Sequence, residues 1–447
     1  MAEVSFISTN IIRSTNPSRG APHRIELTPW DLHLLLIGPS QVGLVFLKPT
    51  ASQLKQLLAG TVIDHLKISL SRTLDFFHPL AGRLAVIQND DGTSSFFIDC
   101  NNAGVHFIHS IAHGTTVRDI LDPGFVPRIV SSFFHLNGSL NCEGLSNPLL
   151  AVQVTELVDG FFIGCTMNHV VVDGTSFYHF LSSWSEIARG MEVVSQPPIL
   201  KRWFPSDIQP PIRIPLNLQE LELDAYRLPP PQFRERVFHF TKEKIAELKE
   251  KANFEMGTHR ISSLQALAAH MWRSIMLCKG ISEDQETTYI ILIDSRARLQ
   301  PPLPENYFGN AVYDVGFTTK VGLLVGKGPS RAALEMSSTK DKQKNEETRS
   351  FLKGWVANPR LATATTFTDN LFTVVSSPRF DVYGNDMGWG RPVAVRRGLS
   401  NMCDGKIVVF QGAEEGSVDV EVCLLPEKLH SLERILVSEG VLPSGSS

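Results

Sequence analysis

Cysteine is scarce in this sequence, and the cysteines that occur are scattered. The six stand at positions 100, 142, 165, 278, 403 and 423, and no two have the CxxC spacing of a zinc site or a redox pair. This pattern argues against a disulfide framework and suits a reducing compartment. We therefore predict a protein that binds no metal.

A strong charge of one sign and long apolar runs are also missing. The chain has 42 basic and 46 acidic side chains, a net charge of -4, and no long basic run, so nucleic acid is not an expected partner. No window reaches the roughly 18 apolar residues of a membrane span, and residues 1–20 lack the cationic start and apolar core of a signal peptide. We expect a cytoplasmic, monomeric protein without a membrane span.

The length and the proline distribution predict the domain organisation. A chain of 447 residues exceeds what one hydrophobic core usually organises, which favours two domains. Short strand-like runs alternate with helical patterns in both halves, as in mixed α/β proteins, and the charged run 338–350 is interpreted as a mobile, solvated surface. Proline is concentrated in 196–232, which is typical of an extended crossover. We predict an N-terminal domain (1–195), this crossover and a C-terminal domain (233–447), with part of the segment after residue 390 packing on the N-terminal domain.

One short stretch, "NHVVVDG" at 168–174, brackets three valines with two titratable side chains. The spacing alone is weak, because a strand-end histidine and a helix-capping aspartate would also produce it. His169 nevertheless follows a very apolar strand, where open sheets present ligand-binding groups. Dry surroundings can keep its imidazole neutral, as a general base must be. Asp173 is better explained as an N-cap or half of a buried ion pair than as a catalytic partner.

No protein nucleophile accompanies this histidine. The sequence has no GxSxG motif and no cysteine in an activating setting. A lone base implies direct transfer to a bound acceptor. A second segment, "DMGWG" at 386–390, places two glycines around a tryptophan and predicts a tight turn, which by itself an ordinary aromatic plug would explain.

Together, HxxxDG in the middle of the chain and DxGWG near its end resemble the plant BAHD acyltransferases. Further segments resemble that family in its order: "LTPWDLHLL" (27–35), "LSRTLDFFHPLAGRL" (70–84), "IDCNNAGVHF" (98–107), "SSLQALAAHMWRS" (262–274) and "DSRARLQPPLPENYFGNA" (294–311). The resemblance covers most of the chain, and it implies two chloramphenicol-acetyltransferase-like domains with a solvent channel at their interface.

The resemblance also implies an activity. His169 would be the general base for transfer of an acyl group from an acyl-coenzyme A co-substrate to a hydroxyl or amine of a plant specialised metabolite, with no tightly bound cofactor. One alternative keeps the fold and pocket for a lyase-type elimination on a single small molecule. Another is a non-catalytic binding protein, and the intact histidine counts against it.

The remaining site predictions follow from the same resemblance. Asp173 and Gly174 would be supported by Arg296 or Arg298. The predicted coenzyme contacts are Ser262, Ser263, Asp386, Gly388, Trp389, Gly390 and Arg391, with Arg260 and Arg397 as further cations for the 3′-phosphate. Thr175, Ser376 and Ser377 would line the acceptor pocket. The chain departs from the family at Met387, where phenylalanine is usual, and at Ser377, where many relatives have tryptophan.

Overall fold

The computed structural model describes residues 3–16, 23–121, 124–218, 220–227, 232–326, 328–363 and 370–443. Parts of the predicted crossover, residues 219 and 228–231, lie outside these ranges. The strands within the ranges are β1 (Glu3–Ile12), β2 (Arg24–Glu26), β3 (Ser40–Leu47), β4 (Arg83–Gln88), β5 (Ser94–Asp99), β6 (Val105–His113), β7 (Leu150–Glu156), β8 (Gly160–Met167), β9 (Arg234–Phe240), β10 (Glu286–Asp294), β11 (Val312–Lys320), β12 (Leu371–Val375), β13 (Ala394–Arg397), β14 (Ile407–Gln411) and β15 (Val418–Leu424).

The helices of the described ranges begin mostly at the polar caps that the sequence supplies. They are α1 (Pro29–Leu32), α2 (Ala51–Leu54), α3 (Val62–Thr73), α4 (Val117–Leu121), α5 (Gly174–Ala188), α6 (Lys242–Glu255), α7 (Ser263–Lys279), α8 (Val321–Gly326), α9 (Pro329–Lys342), α10 (Asn345–Ala357) and α11 (Pro426–Ser438). Short 3-10 helices cover His78–Ala81, Arg128–Phe133, Asn141–Leu145 and Leu223–Tyr226.

The first of two six-stranded sheets has the order β1-β6-β7-β8-β3-β13. Strand β8, "GFFIGCTM", is buried at every residue, because both faces of this central strand are covered. It ends at Met167, and the chain then makes the 168–173 turn before α5 begins. His169 therefore lies at the edge of the sheet where the central strand β8 ends.

The second six-stranded sheet has the order β11-β10-β12-β14-β15-β9, and a three-stranded sheet has the order β2-β5-β4. Helix α7 packs on the second sheet through the buried indole of Trp272, which lies 5.6 Å from the ring of Tyr289 and 6.0 Å from that of Phe372. Parallel and antiparallel pairs occur in both large sheets, so the fold is mixed α/β, as predicted.

Strand β13, in the segment after residue 390, belongs to the first sheet. It pairs with β3, with Ala394 opposite Val45 and Arg397 opposite Val42. The next strands, β14 and β15, belong to the second sheet. The chain thus crosses between the sheets in the segment from Arg397 to Ile407, while the boundaries at 195 and 233 stay a prediction.

The charged run 338–350, predicted to be a mobile, solvated surface, is largely helical. It forms the end of α9 and the start of α10. Each helix has an apolar or small-residue stripe on the core, with Met336 buried in α9 and Leu352 and Trp355 buried in α10. The charges lie on the outward faces of these helices, because amphipathic helices keep their polar side chains in water.

Candidate active site

The turn that carries His169 is held by hydrogen bonds to its main chain. The His169 amide donates to Oδ1 of Asn141 at 2.8 Å, and its carbonyl accepts from Nδ2 of Asn310 at 2.8 Å. The carbonyl of Val171 accepts from the Arg202 guanidinium at 2.9 Å. These partners come from a 3-10 helix, the approach to β11 and the predicted crossover, so distant parts of the chain jointly fix this turn.

A buried aspartate supports two of those partners. Oδ1 of Asp31 accepts from Nδ2 of Asn310 at 2.9 Å, and its Oδ2 lies 3.2 Å from Nε of Arg202. Sequence reasoning missed all four residues of this support: Asp31, Asn141, Arg202 and Asn310. The family-like segments at 27–35 and 294–311 include Asp31 and Asn310 and were the signal available for these two.

The imidazole of His169 is half-buried, and its Nδ1 is buried without a hydrogen-bond partner. Burial lowers the pKa of His169, because a charged imidazolium is poorly solvated there. The positive charges of Arg397 and Lys406 lower the pKa further, while Asp173 opposes them. The side chain is therefore a neutral imidazole at neutral pH, and its lone pair can accept a proton.

Both carboxylate oxygens of Asp173 are already occupied. Arg296 binds them in a bidentate pair at 2.7 and 2.9 Å, and the amides of Ser176 and Ala311 donate to them at 2.9 and 3.1 Å. Burial alone would raise the pKa of Asp173, but the Arg296 guanidinium and these donors hold it below its ordinary range. Asp173 is thus the N-cap of α5 and half of a buried ion pair.

Arg298 does not share in this pair, which corrects the expectation that either arginine could serve. Its guanidinium turns away and donates to the carbonyls of Asp294, at 3.0 Å, and Lys340, at 3.2 Å. Arg296 and Arg298 lie two residues apart in one turn and point in different directions. Gly174 begins α5, where an added Cβ would lie 3.2 Å from the Phe380 ring.

Of the predicted acceptor-pocket residues, Thr175 and Ser376 lie near Tyr178, whereas the hydroxyl of Ser377 is bonded to its own loop. Thr175 lies in the first turn of α5, and Tyr178, one turn later, stacks on Phe380 at 4.5 Å. The hydroxyls of Tyr178 and Ser376 face each other, yet both are buried without a hydrogen bond of ordinary geometry. Ser377 differs, because its hydroxyl accepts the Arg379 amide at 3.2 Å. Ser376 is therefore the serine that the structure gathers beside Tyr178.

The DMGWG turn packs at the opposite end of α5 from Asp173. The carbonyl of Asp386 accepts the hydroxyl of Ser185 at 2.9 Å, and its Oδ1 accepts the amides of Gly388 and Gly390 at 2.8 and 2.9 Å. Since α5 rises about 1.5 Å per residue, the structure does not bring this turn, or the exposed Arg391 beside it, to His169.

Trp389 and Met387 connect this turn to the first sheet and to α3. The indole of Trp389 packs 5.4 Å from the Phe46 ring and donates to the carbonyl of Leu47 at 3.2 Å. The carbonyl of Met387 lies 2.8 Å from Nε2 of His65. Met387 is fully buried, so its side chain fills the place of the usual phenylalanine.

The predicted coenzyme serines lie at an exposed helix start. Ser262 is the N-cap of α7 and accepts the amide of Gln265 at 3.3 Å, while Ser263 is exposed in the first turn. Arg260 is engaged in an ion pair with Asp341 at 2.8 Å. Helix α7 belongs to the core of the second sheet, whereas the valines after His169 belong to the core of the first.

A group of four charged residues that no sequence pattern connects surrounds a small cavity. Glu235, Arg397, Lys406 and Glu421 line one small cavity, and we call these four residues the ionic cluster. They come from β9, β13, the turn before β14, and β15. Short-range sequence patterns cannot reveal such a group, because its members meet only where the two large sheets approach each other.

Neither a metal centre nor a membrane-crossing helix is found in the part of the chain that the structure describes. No three histidine, cysteine, aspartate or glutamate side chains among these residues are arranged to hold an ion. None of the helices there combines the length and apolar character needed to span a bilayer.

The sequence matches a known protein family. A family model described as "Transferase family" matches residues 2–436. An uncharacterized acetyltransferase of Arabidopsis thaliana is 42% identical over 440 residues, which cover 97% of this chain and 98% of that protein. The BAHD acyltransferase DCR of the same organism is 32% identical, with 98% of this chain and 93% of that protein covered.

A solved structure has the same fold at low identity. F. sporotrichioides TRI101 in complex with coenzyme A and T-2 superposes with a TM-score of 0.71 at 17% identity, covering 92% of this chain and 97% of that one. At this identity the likeness supports the fold alone.

Proposed function

Because this chain belongs to the transferase family of BAHD acyltransferases, we propose that it transfers an acyl group from an acyl-coenzyme A thioester to a hydroxyl or amine of a small molecule. His169 takes the proton from the acceptor as its oxygen or nitrogen attacks the thioester carbonyl. The carbon–sulfur bond then breaks, and the proton passes to the departing thiolate. The products are the ester or amide and free coenzyme A.

The observation that best supports this proposal is the difference between the main chain and the side chain of His169. The main chain of His169 is bonded on both sides, while its Nδ1 has no partner and its imidazole is neutral. A positioned base of this kind contributes about 10² to 10⁴ in rate. Asp173 acts on the base only by holding the turn, because Arg296 and two amides occupy its oxygens.

Direct attack is favoured over an acyl-enzyme because the thiols are poorly suited to be nucleophiles. Burial raises the pKa of Cys142 to about 11 and that of Cys165 to about 12, and a thiol attacks as its thiolate. Both substrates must then be bound together, and holding them in line supplies a further part of the rate.

For the coenzyme we retain the exposed start of α7 at Ser262 and Ser263. The first amides of a helix lack intrahelical partners and attract anions. Arg391 is exposed beside the DMGWG turn and available to the same ligand, whereas Arg260 would first have to leave Asp341. The cytoplasmic location and the monomeric state also remain proposals.

The test is a thiol-release assay with acetyl- and hydroxycinnamoyl-coenzyme A against a panel of alcohols and amines, with products identified by mass spectrometry. We expect release that depends on an acceptor and a product whose mass equals the acceptor plus the acyl group minus one hydrogen. Double-reciprocal plots of velocity should intersect, because donor and acceptor share one ternary complex.

Two results would count against this proposal. Parallel double-reciprocal lines would indicate an acyl-enzyme. Turnover of a single small molecule without any coenzyme A would instead support the lyase-type alternative.

A further inference from the structure

Arg202 lies in the predicted crossover, yet its side chain is buried beside the turn that carries His169. Only 3% of that side chain is exposed. Its guanidinium donates to the carbonyl of Val171 at 2.9 Å and to the carbonyl of Phe308, and its Nε lies 3.2 Å from Oδ2 of Asp31. One side chain of the crossover thus contacts the turn, the approach to β11 and α1.

The crossover is paired with the approach to β11 just before Arg202. Ile199 forms a parallel bridge with Tyr307. The amide of Ile199 donates to the carbonyl of Asn306 at 2.9 Å, and its carbonyl accepts the amide of Phe308 at 3.0 Å. Ordered main chain, rather than a loose linker, therefore brings the guanidinium to the turn.

A glycine stands where the guanidinium needs room. A Cβ added at Gly309 would lie 1.8 Å from Nη1 of Arg202 and 2.6 Å from its Cζ. Because glycine has no Cβ, it allows this close approach of a side chain to the main chain. Any larger residue at 309 would displace the guanidinium.

Asp31 is fully buried, and both of its oxygens are occupied. Oδ1 accepts from Nδ2 of Asn310 at 2.9 Å, and Oδ2 accepts from the amide and the hydroxyl of Thr28, each at 2.9 Å. Nε of Arg202 supplies the opposite charge at 3.2 Å, where solvent screens the attraction only weakly. The Asp31–Arg202 pair therefore fixes Arg202 and Asn310 relative to each other.

Three consecutive carbonyls of the turn are bonded to this network. Nδ2 of Asn310 contacts the carbonyls of His169 at 2.8 Å and Val170 at 3.2 Å, and Arg202 donates to the carbonyl of Val171. Because peptide units are planar, holding three carbonyls in a row leaves the main chain few other conformations. The network thereby sets the direction in which the imidazole leaves the main chain.

A different ion pair holds the other end of the turn. Arg296 binds Asp173, which caps the start of α5. The Asp31–Arg202 pair acts instead on residues 169–171, next to the imidazole. Since the Arg202 side chain is buried and faces carbonyls and a carboxylate, it acts through His169 rather than on a substrate.

We propose that Arg202 is a positioning residue for acyl transfer, which with Asp31 holds the turn so that the imidazole of His169 points at the acceptor. This inference rests on the proposed function and adds a residue to it. Loss of the guanidinium lowers kcat and leaves substrate binding nearly unchanged, because the direction of the base matters in the transition state. A misplacement of about 1 Å costs up to about 10² in rate.

The test measures kcat and both KM values of Arg202→Lys. The substrates are the donor and acceptor that the wild type turns over fastest in the thiol-release panel, and the temperature is one at which circular dichroism shows the variant folded. Lysine keeps a positive charge for Asp31 but lacks the planar fork that reaches two carbonyls. We expect kcat to fall by about 10 to 10², with both KM values nearly unchanged.

Arg202→Ala should show a similar loss and recover part of it when ethylguanidinium is added, because the deleted side chain leaves space for that cation. Ethylammonium has no planar fork and should give no recovery. Arg213→Ala is the matched control, since Arg213 lies in the same crossover but is exposed and pairs with Asp91 at 2.8 Å. Its kcat should equal that of the wild type and should not respond to ethylguanidinium. If Arg202→Ala does not fold, Arg202→Lys decides by itself.

Two outcomes overturn the inference while leaving acyl transfer intact. One is a kcat equal to that of the wild type in every folded Arg202 variant, since Arg202 would then serve stability alone. The other is a raised KM with unchanged kcat, since Arg202 would then shape a substrate site. Absence of any turnover of acyl-coenzyme A by the wild type would overturn the proposed function itself, and this inference with it.

Discussion

The turn at 168–174 and the ionic cluster differ in how their buried polar groups are paired. In the turn, the main chain of His169 and both oxygens of Asp173 have partners. In the cluster, Nε of Arg397 and Oε2 of Glu421 are buried without one. A satisfied network fixes geometry, whereas unsatisfied buried groups are costly unless a ligand completes them.

The backbone of His169 is held by hydrogen bonds, while Nδ1 of its imidazole has no partner. Groups that are held and groups that are unpartnered should respond differently to substitution. The following predictions test that division, from the largest expected effect to the smallest.

His169→Ala should lower kcat by a factor of about 10² to 10⁴ while the melting temperature changes little, because Nδ1 of this imidazole makes no hydrogen bond that the fold could lose. Steady-state kinetics and a thermal melt measure the two effects. If the variant retained more than about a tenth of the wild-type turnover, a base worth a hundredfold could not be located at this residue.

Asp173→Ala should lower the free energy of unfolding by roughly 3–5 kcal/mol, because it leaves the buried Arg296 guanidinium unpaired. Urea denaturation measures this loss. Arg298→Ala is the control, since its guanidinium binds carbonyls outside the pair, and it should cost about 1 kcal/mol. Abolished activity with an unchanged denaturation curve in Asp173→Ala would mean that this aspartate acts directly in catalysis.

The pH dependence of activity should report on His169, and the pH dependence of stability should report on Asp173. Because the pKa of His169 lies below its ordinary value near 6.5, kcat/KM should be flat at neutral pH and fall about tenfold per unit below that lowered pKa. The pKa of Asp173 is also depressed, so its stabilisation is present above its unfolded value near 4 and is lost only as pH falls further. Circular dichroism at each pH should find folded protein throughout the His169 limb, and an acidic limb above pH 7 would contradict the neutral-base assignment.

The far end of α5 offers a matched pair of glycines in the DMGWG turn. Gly388 has φ +95° and an added Cβ would lie 3.0 Å from the carbonyl oxygen of Ala188, while Gly390 has φ +142° and open space around it. Both alanine variants should be less stable by about 1–2 kcal/mol from the positive φ, and Gly388→Ala by about 1 kcal/mol more from the close contact. Thermal melts compare the two variants. Equal losses of stability would mean that the turn rearranges around a Cβ at residue 388 without an additional loss of stability.

Sequence motifs and hydrophobic periodicity were enough to predict the fold class and two helix caps. The alternation of short strand-like runs with helical patterns predicted the mixed α/β fold, which the two six-stranded sheets confirm. The caps at Asp173 and Ser262 were visible because capping is a local interaction within four residues. The run 338–350 was predicted to be a solvated surface, and most of its charges are exposed on α9 and α10. Its helical structure was not predicted, because the buried stripes of these helices include Met336 and Leu352, which lie outside the run.

The sequence by itself determined the apolar strand β8, the helix α5 after it and the two titratable residues of the turn between them, because hydrophobic period and capping act between near neighbours. Tertiary structure alone decided that Arg296 rather than Arg298 reaches Asp173, since both arginines fit the same motif and only the direction of each side chain separates them. It also decided that Asn141, Arg202 and Asn310 hold the turn that carries His169 and that Arg397 meets Lys406 and Glu421. Hydrogen bonds and charges act through space over a few ångströms, and a linear pattern does not record which distant residues the packing of two sheets will bring within that reach.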